Sequence, residues 1–230
     1  MPKPFVVMPE VMAAIRPMTK DDVHRVAQLH AAAMGNSLWA QLGERFLRNI
    51  YRALLSTPQF LAFVYEDGGQ IEGFIAGSTH TENMMRHAFL RHAPRLGLAA
   101  LLGLRKWSVA QKLLETASYF NQSSADLAID ISAESLFCSF TPATRGKRIS
   151  GHINKVLFDT LAALGHASVK ITTETDNIGA NRQLQSWGFV DSGRFTFYGK
   201  EMVCYTLDFK NSDRVSAKDW HSQGASKWDN

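Results

Sequence analysis

Apolar and polar positions along residues 133–189 predict a strand, a turn, a helix, a second strand and a second helix. Residues 133–142 are rich in Phe, Cys and Leu and end at Pro142, as is typical of a buried strand. After a basic turn, apolar residues recur at helical spacing as far as Gly165, which predicts a helix of about four turns. Residues 168–175 then alternate as strand residues do. This order of elements indicates an α/β protein.

The flanking parts of the chain predict further strands and helices. Asp67, Gly68 and Gly69 separate two apolar runs, which is a strong hairpin signal. We expect a strand over 12–17, a helix from an N-cap at Thr19, a loop over 36–43, a helix over 44–55, a hairpin of 60–66 with 70–77, and a closing hairpin over 193–207. Residues 1–10 are expected to be an irregular lead-in, and 210–230 a polar, mobile tail.

A long segment separates the first hairpin from the strand at residue 133. Within it, residues 83–104 and 105–120 are predicted to be helical. Residues 80–120 contain six Lys or Arg against two acids, and residues 96–104 contain a cluster of leucines. Three interpretations stay open for this insertion at about 80–132: a lid over a substrate site, an oligomer or partner surface, and an amphipathic helix pair that touches a membrane.

Composition and charge restrict the class of protein. The 230 residues suffice for one domain, and the net charge of +4 would suit an acidic ligand. A nucleic-acid module is not expected, because the basic residues of the insertion are not interleaved with aromatic ones. Cys138 and Cys204 fall in predicted strands and should be reduced. Neither a long apolar run nor a signal-like N-terminus is present, so we expect a cytoplasmic protein, and the histidine spacing predicts no metal site.

The turn before the predicted four-turn helix is a candidate anion site. Arg145, Lys147 and Arg148 place three cations there, next to Gly146 and Gly151. A helix start offers unsatisfied N–H groups and the positive end of the helix dipole. Neither the P-loop pattern nor the dinucleotide-binding glycine pattern is present. The turn is therefore predicted to bind a phosphate or pyrophosphate in another context.

Two motifs in register resemble the GNAT superfamily of acyl-CoA-dependent N-acetyltransferases. The family's P-x-x-R-G-x-G-x-G/A turn matches Pro142, Arg145 and Gly146, and its N-x-x-A-x-x-x-Y-x-x-x-G-F motif matches at these positions: Asn177, Ala180, Gly188 and Phe189. The resemblance covers roughly residues 12–80 and 133–209. The chain departs from the family at the second and third turn glycines and at the tyrosine, which are Arg148, Ser150 and Leu184 here.

The resemblance implies a fold and a cosubstrate. The expected fold is α/β (α+β): a mixed, mostly antiparallel twisted sheet of about seven strands with flanking helices, forming a single GNAT domain over 11–209, with a helical insertion between strands 3 and 4. The implied cosubstrate is acetyl-CoA, without a metal. Its expected binding residues are Phe140, Thr141, Arg145, Gly146, Lys147, Arg148, Ile149, Ser150, Gly151, Asn177 and Ala180.

The resemblance also implies direct attack of an amine on the thioester through a tetrahedral intermediate. A backbone N–H near Phe140 would polarise the carbonyl. Glu134 is the first candidate for the base, and Glu174 is the second. Leucine cannot donate a proton, so Tyr198 is the candidate acid, with Tyr205 and Ser186 as alternatives. His152 is either a helix surface residue or a phosphate contact.

The acceptor is predicted less sharply than the cosubstrate. In the resembled family the first helix–loop–helix region borders the acceptor pocket, so Ser37, Trp39 and Tyr51 are candidate contacts, although packing explains Trp39 and Tyr51 equally well. His30 is predicted to be a core residue. A resemblance to bacterial members with a helical insertion favours the primary amine of a small molecule, for example an amino-sugar. The alternatives are a degenerate domain that binds CoA or a partner without turnover, and a peptide or protein amine; a homodimer and weak membrane contact also stay open.

Overall fold

The computed structural model describes residues 5–34, 37–88, 90–91, 129–197 and 199–220. Its sheet has seven strands in the order β1-β2-β3-β4-β5-β7-β6. The strands are β1 (Ile15–Pro17), β2 (Phe60–Asp67), β3 (Gln70–Ser78), β4 (Glu134–Phe140), β5 (Ser168–Glu174), β6 (Val190–Phe197) and β7 (Lys200–Asp208). The helices are α1 (Pro9–Ala13), α2 (Val23–Ala33), α3 (Leu38–Gln41), α4 (Glu44–Leu54), α5 (residues 81–88), α6 (Ile149–Ala163) and α7 (Ile178–Ser186).

The sheet is antiparallel except between β4 and β5. This parallel pair is joined at only two positions, Glu134 with Lys170 and Ser135 with Ile171. From Leu136 onward β4 has no partner on its β5 side. The mixed, mostly antiparallel seven-stranded sheet with flanking helices confirms the predicted fold class.

Two apolar cores cover the two faces of the sheet. One core joins α2 and α4 to the central strands and includes the fully buried Leu47, Ile50 and Phe74. The other joins α6 and the end of α7 to the sheet and includes Phe158 and Trp187. The central strands β2 and β3 are buried along most of their length because both faces are covered, which explains their continuous apolar runs.

Glycines on β3 allow the adjacent strand β4 to approach closely. A β-bulge places Ala76 opposite Phe137 and Gly77 opposite Ser135, so Leu136 is the extra residue of β4. A Cβ atom at Gly77 would lie 2.9 Å from the Glu134 carbonyl oxygen. A Cβ atom at Gly73 would lie 2.2 Å from the Phe140 ring. These glycines therefore let β4 keep its bulge and its ring contact with β3.

The N-terminal elements differ from the predicted ones. Residues 9–13 form helix α1, with Pro9 at its first position, and β1 starts only at Ile15. Thr19 is not the N-cap of α2, because its N–H and hydroxyl both donate to the Asp22 carboxylate and the helix begins at Val23. The two predicted hairpins, the helix of α4 and the four turns of α6 are present.

Both terminal segments are attached to α6, whereas the tail was expected to be mobile. The buried Asp159 carboxylate accepts hydrogen bonds from the Ser216 N–H, the Ser216 hydroxyl and the Trp220 indole, and pairs with Lys155 at 3.0 Å. Near the other terminus, the Phe5 ring packs against His152 and Trp187. The expected tail therefore continues the fold as far as residue 220.

The insertion enters the described residues only at its two ends. Helix α5 covers residues 81–88, and residues 129–132 lead into β4. Most of the predicted helices over 83–104 and 105–120 lie outside the described residues. Within the described residues, no helix combines the length and the apolar character needed to cross a membrane.

Candidate functional site

The separation of β4 from β5 leaves backbone groups without strand partners. The Thr141 N–H donates to Glu72 of β3, and Phe140 lies opposite Gly73. Because successive residues of a strand direct their N–H groups to alternate edges, the Phe140 N–H points to the β5 side. There the ladder between β4 and β5 has already ended. A ligand carbonyl between the two strands could accept this hydrogen bond.

The turn after β4 forms a cradle of backbone donors. Gly146 and Arg148 both have positive φ, at 77° and 56°, and Arg148 is the only non-glycine residue with positive φ in the described part of the chain. The N–H groups of Gly146, Arg148, Ile149 and Ser150 have no acceptor within the described residues. Four free donors at the start of α6 form a site for a multiply charged anion.

Arg148 adopts a left-handed conformation at the position where the family motif has a glycine. This position is the family's second turn glycine, which can adopt positive φ at little cost. A side chain in that conformation costs about 1–2 kcal/mol. The turn therefore keeps the glycine-like conformation without the glycine, and the substitution adds a guanidinium group next to the donors.

The three basic side chains of the turn are exposed but have different partners. Lys147 forms an ion pair with Asp67 at 3.1 Å, between two exposed side chains. Arg145 and Arg148 form no ion pair with any residue in the ranges that the structure describes. Two cations are therefore available to a ligand without breaking an existing pair.

His152 lies beneath the turn and matches neither of the two interpretations that the sequence suggested. It is fully buried, its Nδ1 lies 2.9 Å from the Arg148 carbonyl oxygen, and its Nε2 accepts the Met8 N–H at 2.9 Å. Because Nε2 accepts, Nδ1 must carry the proton and donate to Arg148. Both nitrogens are thus used within the protein. His152 is neither a surface residue nor a phosphate contact, and it links the N-terminal segment to the turn.

Other predicted cosubstrate residues have structural partners of their own. The Thr141 hydroxyl donates to the Glu72 carboxylate, and Gly151 lies under Phe5, whose ring would be 2.9 Å from an added Cβ atom. Asn177 is the N-cap of α7, with its side-chain oxygen accepting the Ala180 N–H at 3.2 Å. The three-residue spacing of Asn177 and Ala180 in this motif is therefore also explained by capping of α7.

Glu134 is buried at the first residue of β4, opposite Lys170. Burial raises the pKa of its carboxyl above the ordinary range, while the Lys170 charge and the Thr81 hydroxyl partly oppose the rise. A carboxylate with a raised pKa is a better proton acceptor than an exposed one. It sits two residues before the strands separate and six residues before Phe140 along β4.

The alternative acid and base candidates are less well placed. Glu174 forms an ion pair with Lys200 at 2.6 Å, and Tyr205 is buried in the core beneath α6. The Ser186 hydroxyl donates to a backbone carbonyl of its own helix. Leu184, at the family's tyrosine position, is buried in the same core as Tyr205. Tyr198 lies outside the described residues.

The predicted acceptor residues meet in an aromatic cluster around His30. The His30 Nδ1 lies 2.8 Å from the Tyr51 hydroxyl, and its ring stacks with Trp39 and contacts Phe137 of β4. The Ser37 hydroxyl lies 3.5 Å from Nε2. Tyr51 is fully buried and Trp39 is nearly so, which favours their packing role; Ser37 is half-buried. Burial lowers the pKa of His30 to about 4, so its ring is neutral at pH 7.

The two cysteines are reduced, as expected, and both have thiols with raised pKa values. Burial raises the pKa of the Cys138 thiol to about 12, and burial together with nearby carboxylates raises that of Cys204. Among the residues that the structure describes, no group of three or more His, Cys, Asp or Glu side chains could hold a metal ion.

Comparison with solved structures identifies the architecture. An N-acetyltransferase from Staphylococcus aureus superimposes with a TM-score of 0.53 at 15% identity, covering 84% of this chain and 96% of its own. A polyamine N-acetyltransferase from Drosophila melanogaster, which forms N-acetylagmatine, gives 0.56 at 12% identity, with 84% and 98% covered. The chain has the GNAT fold. The predicted fold class is thereby confirmed.

Sequence comparison adds a curated relative of this GNAT-fold chain. A stretch of 67 residues is 34% identical to the mycothiol acetyltransferase of Brachybacterium faecium. That stretch is 29% of the chain and spans only about 20% of the relative. No family model matches the sequence. These comparisons establish the fold of the chain.

Proposed function

We propose that this chain is an acetyl-CoA-dependent N-acetyltransferase that acts on the primary amine of a small molecule. One observation carries the proposal: within the described residues, four backbone N–H groups of the turn after β4 have no acceptor and two of its arginines form no ion pair, directly beyond the separation of β4 from β5. The donor cradle suits a pyrophosphate, and the gap between the strands suits an extended arm that ends in a thioester.

The residues present fit acetyl-CoA. The cradle of Gly146, Arg148, Ile149 and Ser150 would hold the pyrophosphate, with Arg145 and Arg148 as its counter-charges. Lys147 would join them only by leaving Asp67. Acetyl-CoA supplies an activated acetyl group. The Phe140 N–H, directed between the strands, would stabilise the oxyanion that develops on the carbonyl.

Glu134 would accept the proton of the acceptor's ammonium group through a chain of water molecules, because it lies six residues, or about 20 Å, along β4 from Phe140. The neutral amine then forms the C–N bond with the acetyl carbon, the C–S bond breaks, and the thiolate leaves with the electron pair. The nitrogen then loses its second proton, and a proton must reach the thiolate. Leu184 cannot supply it, and Tyr198 is the candidate that the sequence offers.

For the acceptor, an amino-sugar is the first candidate from the sequence resemblance, and a peptide or protein amine is the second. A degenerate domain that binds CoA without turnover is favoured by one observation, the burial of Leu184 where the family has its tyrosine. A CoA-release assay with a panel of amines separates these cases, because only a turnover-competent chain releases free thiol.

The cosubstrate assignment is tested by acetyl-CoA binding. At about 100 times Kd, acetyl-CoA should stabilise the protein by about 2.7 kcal/mol, which corresponds to roughly 5–10 °C in Tm. Arg145→Glu should weaken binding at least about tenfold by calorimetry, or about 1.4 kcal/mol. Arg52→Glu makes the same charge change at an exposed position of α4. This control should bind acetyl-CoA with the affinity of the wild type. Equal affinity of both variants would refute the site.

A further inference from the structure

The cradle of donors depends on the backbone conformation of Arg148. The peptide group after Arg148 carries the Ile149 N–H, so the φ and ψ of Arg148 determine where that donor points. Arg148 has a φ of 56° and a ψ of 17°, in the left-handed region that residues other than glycine avoid. Such a conformation persists only where the surrounding structure enforces it. The contacts around Arg148 therefore determine whether the cradle is formed before a ligand binds.

The Arg148 carbonyl oxygen is held by two donors. The Gly151 N–H donates to it at 3.2 Å, and the His152 Nδ1–H donates to it at 2.9 Å. His152 is fully buried, and its Nε2 accepts the Met8 N–H at 2.9 Å. Because this bond makes Nε2 the acceptor, the proton of the neutral ring stays on Nδ1. Met8 therefore selects the tautomer that donates to Arg148.

The Phe5 ring packs against both of these donor residues. Its centroid lies 5.0 Å from that of the His152 ring, and a Cβ atom added to Gly151 would lie 2.9 Å from the Phe5 ring. The same ring lies 5.5 Å from the Trp187 ring, and the Arg214 guanidinium carbon lies 5.6 Å from the Phe5 centroid. The N-terminal segment is thus packed against both the first turn of α6 and the end of α7.

We propose that Phe5 and Met8 are positioning residues for the cosubstrate: acting through His152, they hold the turn after β4 in its binding conformation. Neither residue is a donor of the cradle, because the Met8 N–H is used by His152 and Phe5 presents only its ring. Their effect on a bound pyrophosphate is indirect, since they keep the Ile149 N–H directed toward it. The inference rests on the proposed function and extends the same site to a residue 144 positions from His152.

The first test compares acetyl-CoA affinity in variants of the N-terminal segment. Phe5→Ala should raise the Kd about fivefold in calorimetry, because acetyl-CoA binding must then restore the left-handed conformation of the turn. Val6→Ala removes a neighbouring side chain from a residue that is 58% exposed, and this control should bind as the wild type does. Equal affinity of the wild type and Phe5→Ala would overturn the proposal.

A double-variant cycle separates positioning from a general loss of stability. Glycine adopts positive φ at little cost, so Phe5→Ala in an Arg148→Gly background should change the Kd by less than about twofold. Alanine has no such freedom, so in an Arg148→Ala background the effect of about fivefold should remain. A residue that only stabilises the fold would act equally in both backgrounds. Equal effects of Phe5→Ala in the two backgrounds would therefore refute the positioning role.

A measurement without acetyl-CoA tests the same contacts independently of the proposed function. In nitrogen NMR of the imidazole ring, the wild type and Val6→Ala should show His152 as the Nδ1–H tautomer alone. Phe5→Ala should show a mixture with the Nε2–H tautomer, and so should Met8→Pro, which has no N–H to donate. The Nδ1–H tautomer alone in both variants would refute the inference. A mixture in both, in a protein whose wild type does not bind acetyl-CoA, would refute the cosubstrate and not the contact between the segment and the turn.

Discussion

Lowering the pH should weaken the fold through His30, which the cluster of α2, α4 and β4 keeps neutral. Burial lowers its pKa from 6.5 to about 4. The unfolded chain therefore binds the proton first, so this contribution to stability is complete above pH 6.5 and is lost as the pH falls toward 4. The shift of about 2.5 pKa units corresponds to about 3 kcal/mol in total. At pH 5 about 2 kcal/mol of it should already be gone.

The measurement is the free energy of unfolding by urea between pH 7.5 and 5, for the wild type and His30→Gln. Glutamine does not titrate and can still hydrogen-bond the Tyr51 hydroxyl. Other groups titrate equally in both proteins, so the wild type should lose about 2 kcal/mol more than the variant over this interval. His24→Gln, on the exposed side of the same helix, is the control and should follow the wild type.

The outcome that refutes this reasoning is a wild type and a His30→Gln variant with parallel pH dependence. Parallel curves would mean that His30 can be protonated in the folded state and that the cluster admits solvent. A steeper loss in His24→Gln than in the wild type would likewise contradict the assignment of the effect to burial.

Three further predictions concern the turn and the base. Arg148→Ala and Arg148→Gly both remove the guanidinium group and should weaken acetyl-CoA binding alike, but the glycine variant should be more stable by about 1 kcal/mol in urea unfolding, because positive φ costs glycine little. Glu134→Gln should abolish the acidic limb of the kcat/KM profile, which the raised pKa of Glu134 sets in the wild type, with acetyl-CoA affinity unchanged in calorimetry. His152→Asn should retain acetyl-CoA affinity better than His152→Leu, because an asparagine can still donate to the Arg148 carbonyl, as Asn154 does to the Ser150 carbonyl over the same four-residue spacing. Equal losses of affinity in the two variants would exclude a positioning role for His152.

Local signals predicted the elements that depend on few residues. Gly68 and Gly69, with φ of 58° and 76°, form the two-residue turn between β2 and β3 that their sequence requires. The periodicity of α6 is continuous over four turns, so its start and the turn before it were located correctly.

Features that depend on distant contacts were not predictable. Nothing in the sequence around His152 shows that Met8, 144 residues earlier, supplies its hydrogen bond. A five-residue helix such as α1 has too few turns for a periodic pattern. The pattern shows that the turn lacks a glycine at Arg148, but it does not show that arginine keeps the left-handed conformation.

The environment of the two cysteines determines how transfer by this protein can be followed. Thiol-reactive dyes report free CoA by reacting with thiolates, and a protein thiolate exposed to the dye would give a false signal. Cys138 packs against the core beneath α6 with a pKa near 12, and Cys204 is buried with a raised pKa. Both should therefore react slowly in the folded state, so the dye's early signal measures product, and a later rise in colour reports unfolding of the protein.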